Sequence, residues 1–155
     1  MTPFRCTGIP TEVADRFRST ARDDFGNAVR RFPGDETGLP CRHCLAESAG
    51  QAAVLGSYRM ARPQGIYWTP SPIFVHADSC PRYERRDEIP DIVRPRLVSL
   101  RAYDADQQVI YGLGDVAEGR HCDGLLERCL ADARTAFVNI HTARPGCFLC
   151  TVERV

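Results

Sequence analysis

Pro40-Cys41-Arg42-His43-Cys44-Leu45 holds two cysteines at C-x-x-C spacing in a turn opened by proline. That spacing lets two sulfurs converge on one point, where they could ligate a metal or form a reversible disulfide. Residues of matching chemistry recur along the chain: His76 with Cys80 four positions on, then His141, Cys147 and Cys150. Thiolate and neutral imidazole are the donors zinc prefers. The expected metal set is Cys41, Cys44, His76, Cys80 and Cys147, with zinc as the ion and His141 as a further candidate. His76 and Cys80 share a side if the strand that carries His76 runs on.

The two C-x-x-C pairs do not make an obvious four-thiolate site. Cys147 and Cys150 fall in a segment with strand character, where alternation sends them to opposite faces. Only one can then face the Cys41 turn. Cys147, beside Gly146 at the strand's start, is the predicted one, and Cys150 is assigned to core packing. Cys6, Cys122 and Cys129 are read as buried packing, since free cysteine behaves as a small hydrophobe. His43 is expected at the surface of its turn rather than on the metal, and His121 carries no signal.

Two other chemistries compete. Should residues 42–49 begin a helix, its positive end, with Arg42 and His43, would lower the pKa of Cys41 or Cys44. A cysteine-dependent enzyme acting on a small electrophile, with His76 or His141 as base, follows from that. Alternatively arginines could hold a small anion, with Arg42 and Arg101 as the candidates. No serine-nucleophile elbow is present, and Gly112-Leu113-Gly114 with Gly119 misses the dinucleotide spacing.

Composition narrows these readings. The 155-residue chain has 20 basic and 20 acidic residues, so no net field draws it to nucleic acid or an anionic membrane. Every basic side chain is arginine. This removes Schiff-base and lysine-base catalysis and makes planar carboxylates or phosphates the natural anionic partners of a small-molecule site. No apolar run reaches membrane-spanning length, and the N-terminus lacks a signal-peptide core. A cytoplasmic protein is expected, and eight cysteines in a reducing compartment point away from a disulfide framework.

The elements that must position these residues follow from periodicity. One domain over residues 1–155 is expected. Residues 4–9 read as extended. Val13, Phe17 and Ala21 recur every four positions and predict a helix over 11–22, with Pro10 at its entrance. Residues 27–40 read as a long loop, 51–60 as a strand, and 72–78 as the strongest strand. Residues 80–96 read as a solvated loop with three prolines. A hairpin is predicted from 97–103 to 109–113, a second helix over 123–131, and a terminal hairpin over 136–141 and 146–152. The order predicts an α+β fold with a mainly antiparallel sheet and a helix near each end.

Taken together, Phe4–Pro10, Pro40–Leu45, Pro72–Ala77 with Cys80, Leu100–Asp104 and Gly146–Cys150 resemble a bacterial domain-of-unknown-function family, number 1203. The resemblance implies that these residues belong to a shared design and implies no particular activity.

Overall fold

The computed structural model describes residues 1–35 and 38–155. Among the described residues, eight strands form two antiparallel sheets, and one α-helix packs on each. The five-stranded sheet has the order β1-β8-β7-β5-β6, comprising Phe4–Thr7 (β1), Leu97–Tyr103 (β5), Asp115–Glu118 (β6), Phe137–Thr142 (β7) and Phe148–Arg154 (β8). The three-stranded sheet pairs Arg30–Phe32 (β2), Ala53–Tyr58 (β3) and Ser71–His76 (β4) in that order. The α+β class with antiparallel pairing is as the residue pattern predicts. None of the described helices is long and apolar enough to cross a membrane.

Each sheet has its own core. Helix α2, Asp123–Ala131, lays Leu126, Cys129 and Leu130 on the large sheet, against Val98, Leu100, Val138 and Ile140. Helix α1, Thr11–Ser19, lays Ala14 and Phe17 on the small one, against Val54, Ile73 and Val75. Phe17 seats directly on Gly56, where an added Cβ would stand 2.6 Å from the ring. Cys6, Cys122, Cys129 and Cys150 are buried packing residues of the first core, as expected.

Several boundaries differ from expectation. Helix α1 stops at Ser19 because Thr20 is already extended, and Arg22 then bridges to Ala28. The supposed loop over 27–40 contains β2. Residues 80–96 are irregular but not merely solvated: Ile89, Ile92 and Val93 enter the first core, an apolar triad masked in sequence by the charges and prolines around it. The partner of β5 is β6, not 109–113, which makes only a bridge and a turn alongside.

The terminal hairpin forms, but strict alternation fails in it. Between Ile140 and His141 the register shifts, with Ile140 opposite Cys150 and His141 opposite Phe148. Leu149 is the extra residue of this bulge. Phe148 consequently joins the second core, while Leu149 and Cys150 both join the first.

Candidate metal centre

The Cys41–Cys44 segment is a tight turn, not the start of a helix. Leu45 N–H donates to the Cys41 carbonyl at 2.9 Å, Cys41 N–H to Ala46 at 2.9 Å and Ser48 N–H to Leu39 at 3.1 Å. Leu45 closes it at φ 54°, a left-handed conformation uncommon for a branched side chain. The helix-dipole route to a reactive thiol therefore has no helix behind it.

Backbone contacts on three sides fix the turn. Arg42 N–H donates to Phe74 of β4, Ile9 N–H to the Arg42 carbonyl, and Tyr83 N–H to the His43 carbonyl, each at 2.9 Å. Gly8 lies so close that a Cβ there would stand 2.1 Å from the His43 carbonyl oxygen. Only glycine fits.

Four of the predicted ligands converge. One donor atom from each of Cys41, Cys44, His76 and Cys80 lies within 4.8 Å of all the others. Zinc–sulfur bonds of about 2.3 Å at tetrahedral angles place two sulfurs about 3.8 Å apart, and a sulfur and an imidazole nitrogen about 3.5 Å apart. Cys41 Sγ and Cys80 Sγ are 3.8 Å apart, and Cys44 Sγ and His76 Nδ1 3.4 Å apart. Although β4 ends at His76, the bend after it still returns Cys80 to the same side.

Groups around the cluster favour thiolates. The His76 backbone N–H donates to Cys41 Sγ at 3.2 Å, and the Arg18 guanidinium donates to Cys80 Sγ at 3.1 Å. Arg18 also donates to the His76 carbonyl at 2.9 Å, tying α1 to the end of β4. His43 is buried, contrary to expectation: its Nδ1 is 3.2 Å from Cys80 Sγ and its Nε2 2.9 Å from the Thr11 hydroxyl. With Cys80 as a thiolate, Nδ1 donates to sulfur and Nε2 accepts from the Thr11 hydroxyl. Burial, then the nearby Arg18 charge, lowers the His43 pKa and keeps it neutral.

The three thiols share protons. Hydrogen bonds from Cys44 and Cys80 hold Cys41 far below the usual thiol range, and the same bond to Cys41 pushes each of them up. A hydrogen bond to the Cys41 sulfur raises His76. A divalent cation held by these residues would displace those protons, and Arg18 would offset part of the negative charge of three thiolates on a dication.

The remaining candidates stand elsewhere. Cys147 is outside the four-residue group; its N–H donates to the Thr142 hydroxyl at 2.9 Å, which closes the hairpin turn. His141 Nδ1 donates to the Gly146 carbonyl at 3.0 Å in the same turn. Arg42 is buried, with its Nε donating to the Phe148 carbonyl and its Nη1 to the Pro40 carbonyl, both at 2.6 Å. Burial lowers its pKa to about 10, so it stays charged. Arg101 rests against its own strand, 3.5 Å from Ser99 Oγ. The contributors missed in sequence are Arg18 and His43. His43 sits inside the motif, but its partners Thr11 and Cys80 come from distant segments, and no local signal marks Arg18.

Neither the curated proteins nor the solved structures provide a match to the chain. A family model described as a protein of unknown function, DUF1203, matches residues 38–154. Phe4–Pro10 and Arg18 precede that span, whereas all four cluster residues lie within it. With most of its length matched, the chain belongs to the DUF1203 family.

Proposed function

We propose that the protein binds one zinc ion through Cys41, Cys44, His76 and Cys80, and that the ion is structural. The observation that carries this reading is the pair of edges, 3.8 Å between sulfurs and 3.4 Å between sulfur and nitrogen, which match a tetrahedron with ordinary zinc bond lengths. Four protein donors close the shell and leave no position for a substrate, the arrangement of structural rather than catalytic zinc. The ion would clamp the 41–44 turn to the end of β4 and, through Arg18, to α1.

The test is elemental analysis of protein purified under reducing, chelator-free conditions. About one zinc per chain is expected, since binding energy at such sites is folding energy. Less than about 0.2 ends the proposal. A tetrahedral thiolate spectrum on cobalt substitution is expected of wild type and not of Cys44→Ala.

The thiol-enzyme reading, on Cys41 or Cys44, has the depressed Cys41 in its favour, but Cys41 is 0% exposed, and the half-buried Cys44 is pushed up by its bond to Cys41. Alkylation of metal-free folded protein separates the two: the zinc reading expects Cys41 and Cys44 to react no faster than a model thiol, the enzyme reading expects one of them to react faster.

A further inference from the structure

A cleft of about 120 Å³, lined by Gly8 and Ile9 and by none of the four cluster residues, opens between the two sheets. Its floor is apolar, made by Ile9, Met60 and Phe148 from the second core. Its rim is polar. Thr7 and Thr151 face each other across β1 and β8, and Tyr58 closes the end of β3.

Arg82 is the rim's fixed cation. Its Nε and Nη2 donate to the Gly8 carbonyl at 3.1 and 2.9 Å, and its Nη1 to Glu84 at 3.2 Å. Three of five guanidinium donors are thus used, and two remain. Arg62 lines the opposite rim, paired with Glu153 at 2.8 Å. That rim is held from inside: the wholly buried Asn139 donates to the Arg62 carbonyl at 3.0 Å and accepts from Thr151 at 2.8 Å. Burial raises the Tyr58 pKa, so its phenol keeps a proton to donate.

We propose that this cleft binds a small monocarboxylate with a compact apolar body. A guanidinium edge and a neutral phenol suit the two oxygens of a carboxylate. Glu84 and Glu153 already offset one charge on each arginine, which disfavours a dianion such as phosphate. A cavity of about 150 Å³ accepts a benzene ring in an engineered protein; this smaller, open-mouthed cleft takes a ring or short branched chain with its carboxylate left at the rim. The inference does not depend on the metal reading.

The probe is benzoate, titrated into the full chain and followed by backbone amide shifts, with benzyl alcohol, benzylammonium and inorganic phosphate beside it. Benzoate is expected to shift Gly8, Ile9, Ala61 and Thr151 saturably, and to bind at least tenfold tighter than any of the other three. Arg82→Gln is expected to weaken it at least tenfold. Should that variant fail to fold, Ala61→Trp at the exposed mouth tests the same cleft by occlusion and is expected to abolish the shifts. Benzoate binding no tighter than benzyl alcohol, shifts confined to other residues, tighter binding of phosphate, or shifts that survive Ala61→Trp would each overturn the proposal.

Discussion

His141 makes the protein acid-sensitive by an amount that follows from its burial. The ring is 3% exposed, stands edge-on to Phe148 at 5.7 Å, and has Arg101 and Arg42 nearby. Burial first, and the Arg101 charge second, lower its pKa from 6.5 to about 4. Between those two values the unfolded chain binds the proton and the folded one does not, so stability rises with pH across the window. The contribution is fully present above pH 6.5 and falls away as pH drops toward 4. At about 1.4 kcal/mol per pH unit the whole effect is about 3 kcal/mol, of which about 2 kcal/mol is gone by pH 5. His141→Phe removes the titration while keeping the aromatic contact. The loss of the Gly146 hydrogen bond adds a penalty that does not vary with pH. Urea unfolding of both proteins at fixed pH and fixed metal measures the difference, in which metal release and the titration of His43 cancel. The advantage of wild type over His141→Phe should shrink by about 2 kcal/mol from pH 7.5 to 5. A difference constant to about 0.5 kcal/mol would refute the burial argument.

Three further outcomes separate the site from its scaffold. Cys147→Ala and Cys150→Ala should both retain full zinc by elemental analysis; Cys150→Ala should cost about 1–2 kcal/mol in urea unfolding, because its sulfur leaves a void in the first core. Gly8→Ala should cost about 2–3 kcal/mol and weaken zinc at least tenfold in chelator competition, because its Cβ meets the His43 carbonyl at 2.1 Å. Gly124→Ala in α2, with nothing within 4 Å of its Cβ, should instead gain about 0.5 kcal/mol.

The legible part of the site was the part that local geometry decides. A turn brings Cys41 and Cys44 together whatever the rest of the chain does, and His76 and Cys80 bracket the end of the strongest strand. Cys147 lies outside the cluster, and placing it required the path of a distant hairpin. That hairpin presents Phe148 to the second core and spends the Cys147 backbone on its own turn. The bulge at Leu149 was invisible for the same reason: register is fixed by both cores at once, and alternation along one strand cannot report it. Apolar periodicity located both helices and most strands, but missed β2, where two arginines and a phenylalanine offer no pattern, and β6, a short and largely exposed strand whose place beside β5 the residue pattern assigns to 109–113.

The absence of lysine was legible, and its consequence lies mostly in the backbone. Guanidinium groups serve carbonyl oxygens across the fold: Arg42 on Phe148 and Pro40, Arg82 on Gly8, Arg18 on His76, and Arg154 on Leu130 and Thr135. Irregular segments and strand ends leave such carbonyls unpaired, and burying them without a donor is costly. A planar fork can reach two of them, or one with two parallel bonds, where a single ammonium is less well matched. An arginine that looks free for an anion in sequence is therefore often already committed. Arg42, inside the motif, is buried and tied to two carbonyls, while Arg82, in a stretch read as solvated, lines an open cleft with two donors unused.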